Sequence, residues 1–172
     1  FLRAKGTYNG LFYEPNRAHD HSGFFTLTLS AGGSYSAKLQ VGTTSYSTAG
    51  QFMVAGTSSQ TVARRGMGPW TLTMALDLAG AQRLTGTVGD GHWLADLTAN
   101  RAVFDAAANP ATQHLGKYTI LIRGAENTDA TFPGGDGYGT AMVDASGRLT
   151  LAGSLADGSA LAQKVPLSGT GD

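Results

Sequence analysis

Residues 22–39 read SGFFTLTLSAGGSYSAKL, and their alternation decides the fold class. Phe25, Leu27 and Leu29 share one face of an extended segment and Thr26, Thr28 and Ser30 the other, because successive strand side chains point to opposite faces. Gly32-Gly33 then predicts a turn, after which Tyr35, Ala37, Leu39 and Val41 resume the apolar face opposite Ser34, Ser36, Lys38 and Gln40. That pattern is a β-hairpin. A segment about 110 residues later, GYGTAMVDASGRLTLAGSL from Gly137, keeps the same phase, with Ala141 and Val143 before a turn at Gly147 and Leu149 and Leu151 after it. Gly23 aligns with Gly137, Thr26 with Thr140 and Gly33 with Gly147 at one constant offset, and GTYNGLF at Gly6 has its counterpart in GKYTILI at Gly116.

Between these segments Leu72, Met74, Leu76 and Leu78 alternate with Thr71, Thr73, Ala75 and Asp77. Leu84, Gly86 and Val88 follow, then a turn at Asp90-Gly91 and the run Trp93, Ala95, Leu97 and Ala99, which together predict a three-strand meander over 69–100. Alanines at 101–108 favour a short helix that Asn109-Pro110 would end. Phe1–Lys5 is left as a candidate closing strand. The expected fold is therefore all-β, a single domain over 1–172. It is built from two related units, about 6–56 and 116–168, joined by the meander and the helix. Sequential hairpins favour an up-and-down meander of about eleven strands closing into a barrel, with a two-sheet sandwich as the alternative.

Composition excludes several function classes. Twelve basic and twelve acidic side chains cancel, so there is no electrostatic footprint for nucleic acid. No apolar run reaches the ~18 residues of a membrane-spanning helix. Cysteine is absent, which removes disulfides and thiolate metal sites. There is also no Gly-x-Ser-x-Gly elbow, no His-Glu-x-x-His and no phosphate-cradling glycine loop, so no catalytic residue is expected.

Three polar or aromatic groupings remain. His19 and His21, two apart on what reads as an extended segment, would project to one side and could share a transition metal. In the loop 127–136, Asp129 and Asp136 offer oxygen ligands of the kind calcium takes, although the Pro-Gly-Gly-Asp-Gly run is first of all a turn. Trp70 and Trp93, the latter beside His92 and Asp90, could stack on sugar rings; the competing reading is that both indoles fill the core, since Trp93 shares phase with Ala95 and Leu97.

The set Tyr8-Asn9-Gly10-Leu11-Phe12, Ser22-Gly23-Phe24-Phe25-Thr26-Leu27-Thr28-Leu29, Gly50-Gln51-Phe52 and Gly135-Asp136-Gly137-Tyr138-Gly139 resembles a β-rich repeat module of large secreted or surface proteins of environmental bacteria, of verrucomicrobial and planctomycetal type. The resemblance implies a non-catalytic extracellular building block, secreted or at the cell surface, whose partners are neighbouring domains of its own polypeptide. Glycan contact and self-association are the further partners to expect. The alternative reading is a carbohydrate-binding or apolar-ligand-binding barrel, and the third a metal-dependent enzyme using the His19/His21 loop.

Overall fold

A computed structural model describes residues 1–16, 18–80, 82–124 and 134–169. Its framework is all-β, with twelve strands in two sheets. The first sheet comprises β1 (Gly6–Tyr13), β2 (Gly23–Leu29), β3 (Ser34–Val41), β4 (Thr44–Gln51), β5 (Thr57–Val62), β6 (Trp70–Leu76), β7 (Arg83–Gly89) and β8 (Leu94–Arg101). The second comprises β9 (Gly116–Ile122), β10 (Gly137–Val143), β11 (Arg148–Ser154) and β12 (Ala160–Pro166). They belong to two compact units, Phe1–Ala102 and Val103–Asp172.

In the first unit the strand order β4-β3-β2-β1-β8-β7-β6-β5 is that of an up-and-down meander curled until its first and last strands meet. β1 and β8 pair antiparallel, with Gly10 opposite Ala99. At the opposite seam β4 and β5 are consecutive in the chain, and the Tyr35 hydroxyl of β3 lies 2.7 Å from Ser58 Oγ of β5. The result is a nearly closed, eight-stranded barrel-like sheet. Tyr8, Phe12, Phe25, Leu27, Leu39, Leu72, Leu84 and Leu97 occupy its interior, fully buried. Side chains of ordinary size fill a barrel of eight strands. The wider eleven-strand barrel does not form, because the last four strands make a sheet of their own.

Two local expectations are corrected. Residues 101–108 contain no helix: Arg101 ends β8, and Asp105 turns the chain by accepting hydrogen bonds from the N–H groups of Ala107 (3.0 Å) and Ala108 (2.8 Å). A side chain that caps its own next turn competes with the helix ladder, and Asp105 forms a bridge with Asn109 instead. Phe1–Lys5 is a turn rather than a strand, closed by N–H donation from Ala4 and Lys5 to the Phe1 carbonyl, both 3.0 Å.

The second sheet, β12-β11-β10-β9, is a plain meander. Its registers match those of β1–β4: Tyr118 pairs with Ala141, Ala141 with Leu151 and Leu151 with Gln163, where Tyr8 pairs with Leu27, Leu27 with Ala37 and Ala37 with Thr48. The details agree as well. Tyr8 donates its hydroxyl to the Ala4 carbonyl and Tyr118 its own to the His114 carbonyl, each at 2.7 Å. Gly33 and Gly147 close the equivalent hairpins at φ 87° and 71°, and a Cβ on either would stand 2.5 or 2.6 Å from the ring of Phe1 or Phe104. Only glycine meets both demands without strain.

Candidate functional site

The barrel unit carries an open cleft of about 550 Å³ among its loops. Trp70, the first residue of β6, is placed by pairing with Val62 and is almost wholly buried. Its edge or face meets three rings: Tyr46 at 4.9 Å, Phe12 at 6.3 Å and Trp93 at 5.6 Å between centroids, all tilted by 66–86°. Such near-perpendicular geometry sets the positive ring edge against the negative ring face. The Arg64 guanidinium lies 4.4 Å over the Trp70 ring, a cation–π contact. Arg64 Nε donates to the Gly68 carbonyl at 2.7 Å, and Nη2 is 3.8 Å from Asp90 Oδ2.

Asp90 organises the other wall. Its carboxylate accepts the His92 backbone N–H at 3.0 Å and also the Trp93 indole N–H, and these bonds, the His92 bond first, hold its pKa below the usual carboxylate value. Trp93 therefore has a fixed rim orientation. One of its faces is covered by the His21 ring, stacked at 4.3 Å and 12°, while His21 Nδ1 lies 2.9 Å from Glu14 Oε1.

Trp70, Trp93, Asp90, His19 and His21 thus line one cleft, together with Tyr46, Arg64, Met67 and the Gly42–Thr44 turn. His92 does not; its side chain borders a shallow groove on the other flank of Trp93, with Thr71, Thr73 and Thr87. His19 and His21 are not on extended chain but on a single 3-10 turn, so the two rings diverge. His19 is exposed beside Asp20, whereas His21 is half-buried against Trp93. Among the described residues no three His, Asp or Glu side chains gather as a metal ion would need. Asp129 lies outside the described residues, and Asp136 Oδ1 accepts the Gly124 N–H at 2.9 Å, tying the start of β10 to the chain after β9.

Sequence reading passed over Arg64, which the fold makes central. The Arg64-Arg65 pair in the β5–β6 loop gives no sign in sequence that one guanidinium turns inward over an indole. What the cleft offers chemically is recognition: a cation held between an aromatic face and a carboxylate, ring edges, and the hydroxyls of Thr43 and Thr44 at the rim. The unsatisfied indole Nε1 of Trp70 is the one buried polar atom on its wall, among the described residues, without a hydrogen-bond acceptor.

A scan against protein-family models and a search of curated proteins both found no match, so the reading of this cleft stands on its geometry.

Proposed function

We propose that this chain is a non-catalytic structural and adhesive module of a larger secreted or cell-surface bacterial protein, assembled from repeated four-strand meanders. The observation that carries the reading is the recurrence of the β1–β4 registers in β9–β12, down to the tyrosine tether and the positive-φ hairpin glycine. Recurrence at this level favours a building block made to be stacked, because each unit uses the same local devices to fold. Limited proteolysis of the full chain, read by mass spectrometry, tests it. A module should leave a resistant core spanning residues 6–101, with first cuts in the 102–115 connection or in exposed loops; early cleavage inside β1–β3 or β6–β8 would count against it.

A second reading, glycan recognition, is favoured by one observation, the gathering of Trp70, Trp93, Tyr46, Arg64 and Asp90 around one open cleft. Both tryptophans of the chain are cleft residues, so their fluorescence reports directly on occupancy. A saturable change on titration with a soluble polysaccharide, lost in Tyr46→Ala, supports this reading. An unchanged spectrum across neutral and acidic polysaccharides counts against glycan recognition and leaves the module reading.

A further inference from the structure

The barrel unit shows how a sheet of this kind closes. β1 has a partner on both sides, β2 and β8. Among the described residues its counterpart β9 pairs with β10 alone, and β12 at the other end of the second sheet pairs with β11 alone. Unpaired edges present rows of free backbone N–H and C=O groups. The inner face is open along β9 and β11, though Ala141 and Val143 of β10 are buried: Tyr118 is 46% exposed where Tyr8 is 0%, and Ile120, Ile122, Leu149 and Leu151 are all only partly buried.

We infer that β9–β12 is half of a barrel that closes against β9–β12 of a second copy of this chain, β9 of each copy pairing antiparallel with β12 of the other about a twofold axis. The register follows from the barrel unit. Val165 stands opposite Leu149 as Ala99 stands opposite Leu84, and Ile120 stands opposite Gly139 as Gly10 stands opposite Phe25. The Gly10–Ala99 pair of the β1–β8 seam therefore becomes Ile120 against Val165 of the second copy. The same register sets Tyr118 against Leu167 on the inner row, and Leu121 against Lys164 on the outer row. Two inner pairs are apolar, the next sets Ile122 against Gln163 at the end of the seam, and no like charges meet outside.

Bulk is redistributed rather than added. Where β1 and β2 oppose glycine and phenylalanine, β9 and β10 oppose isoleucine and glycine, so the inner layer keeps one large and one absent side chain. Size is also sufficient. The two seven-residue edge strands of each copy, with the inner rows of β10 and β11 behind them, reach the roughly 20–30 residues per side of a standard stable interface. One ladder bond per seam is forgone: Leu167 N–H points back to the Gly147 carbonyl at 2.8 Å, so the outward position is Pro166, which has no N–H.

This inference rests on the same recurrence as the module reading, but it is read out by oligomeric state, which protease resistance of the barrel does not report. The chain has no native cysteine, so Ile120→Cys and Val165→Cys can be prepared as full-length single variants. Opposed residues in the wide, non-hydrogen-bonded pairs of an antiparallel ladder have Cα atoms about 4.5 Å apart, within the ~4.4–6.8 Å range of a disulfide. Mild oxidation should link the two variants only when they are mixed. Sedimentation velocity should show the unsubstituted chain passing from monomer to dimer with concentration, and Ile120→Asp remaining monomeric with unchanged tryptophan fluorescence from the barrel unit. An unsubstituted chain monomeric throughout, or mixed variants that do not cross-link, overturns the inference. Should Ile120→Asp fail to fold, the cysteine pairing decides alone.

Discussion

Tyr8 shows what one side chain contributes to this architecture. Its ring is fully buried and its hydroxyl donates to the Ala4 carbonyl, so it joins the barrel core to the turn that opens the chain. Burial holds its phenol pKa above the ordinary value, and Tyr35, also buried, shares that direction. A raised pKa keeps both phenols neutral throughout the physiological range, so Tyr8 retains the proton it donates. Tyr8→Phe removes the donor and leaves a buried carbonyl with one bond fewer; the expected cost is about 1 kcal/mol, measured by urea denaturation. Tyr118→Phe deletes the matching bond at an exposed ring, where water replaces it, and should cost less. Equal losses in the two variants would mean that the Tyr118 ring is more enclosed than its exposure indicates.

At the scale of elements, alternation made most strands legible and polar composition hid one. The hairpins β2–β3 and β10–β11 and the β6–β8 meander each alternate apolar with polar side chains, and each formed as the phase required. β5, TSSQTV, has only Val62 as a large apolar residue, so nothing in its periodicity separates it from a loop; tertiary pairing with β6 makes it a strand. The 101–108 segment failed for the opposite reason. Its helix propensity is real but short, and the Asp105 side chain satisfies the backbone first. In the cleft, the aromatic members were legible as residue types, while Arg64 and the 3-10 turn that parts His19 from His21 depend on loop geometry.

The turn aspartates carry an element-scale prediction. Asp144 accepts hydrogen bonds from the Ser146 hydroxyl at 2.6 Å and the Arg148 and Ser146 N–H groups at 3.0 and 2.9 Å, and these hold its pKa below the ordinary carboxylate value. Asp105, through the Ala108 and Ala107 N–H groups, and Asp157, through Ser159, shift in the same direction. A group whose pKa is lower folded than unfolded contributes stability that is present above the unfolded value, about 4, and is lost as pH falls through the folded one. Stability followed by circular dichroism should therefore decline below about pH 4. In Asp144→Asn, which keeps an acceptor but cannot titrate, the acid limb should be shallower; an unchanged limb would show that Asp144 does not contribute to it.

For the molecule as a whole, the number of strands in the closed sheet decides what the interior can hold. Eleven strands would enclose a chamber, whereas eight bring opposite walls within side-chain reach, and here the aromatic and leucine rows from both halves of the meander occupy that space. Leu27 lies at its centre, fully buried on β2 and paired with Tyr8 and Ala37. The native barrel should therefore leave an apolar fluorescent probe or a small aromatic such as benzene unbound, since interiors packed to crystal density have no vacancy of that size. Leu27→Ala should cost about 2–5 kcal/mol and open an apolar cavity, because rigid neighbouring strands relax only in part. Such a cavity stays dry and accepts a small apolar guest, so benzene should raise the melting temperature of Leu27→Ala while leaving the native chain unchanged. Stabilisation of the native chain by benzene would mean that its interior already holds a vacancy, and the recognition chemistry of this fold would then have to be sought inside the barrel rather than among its loops.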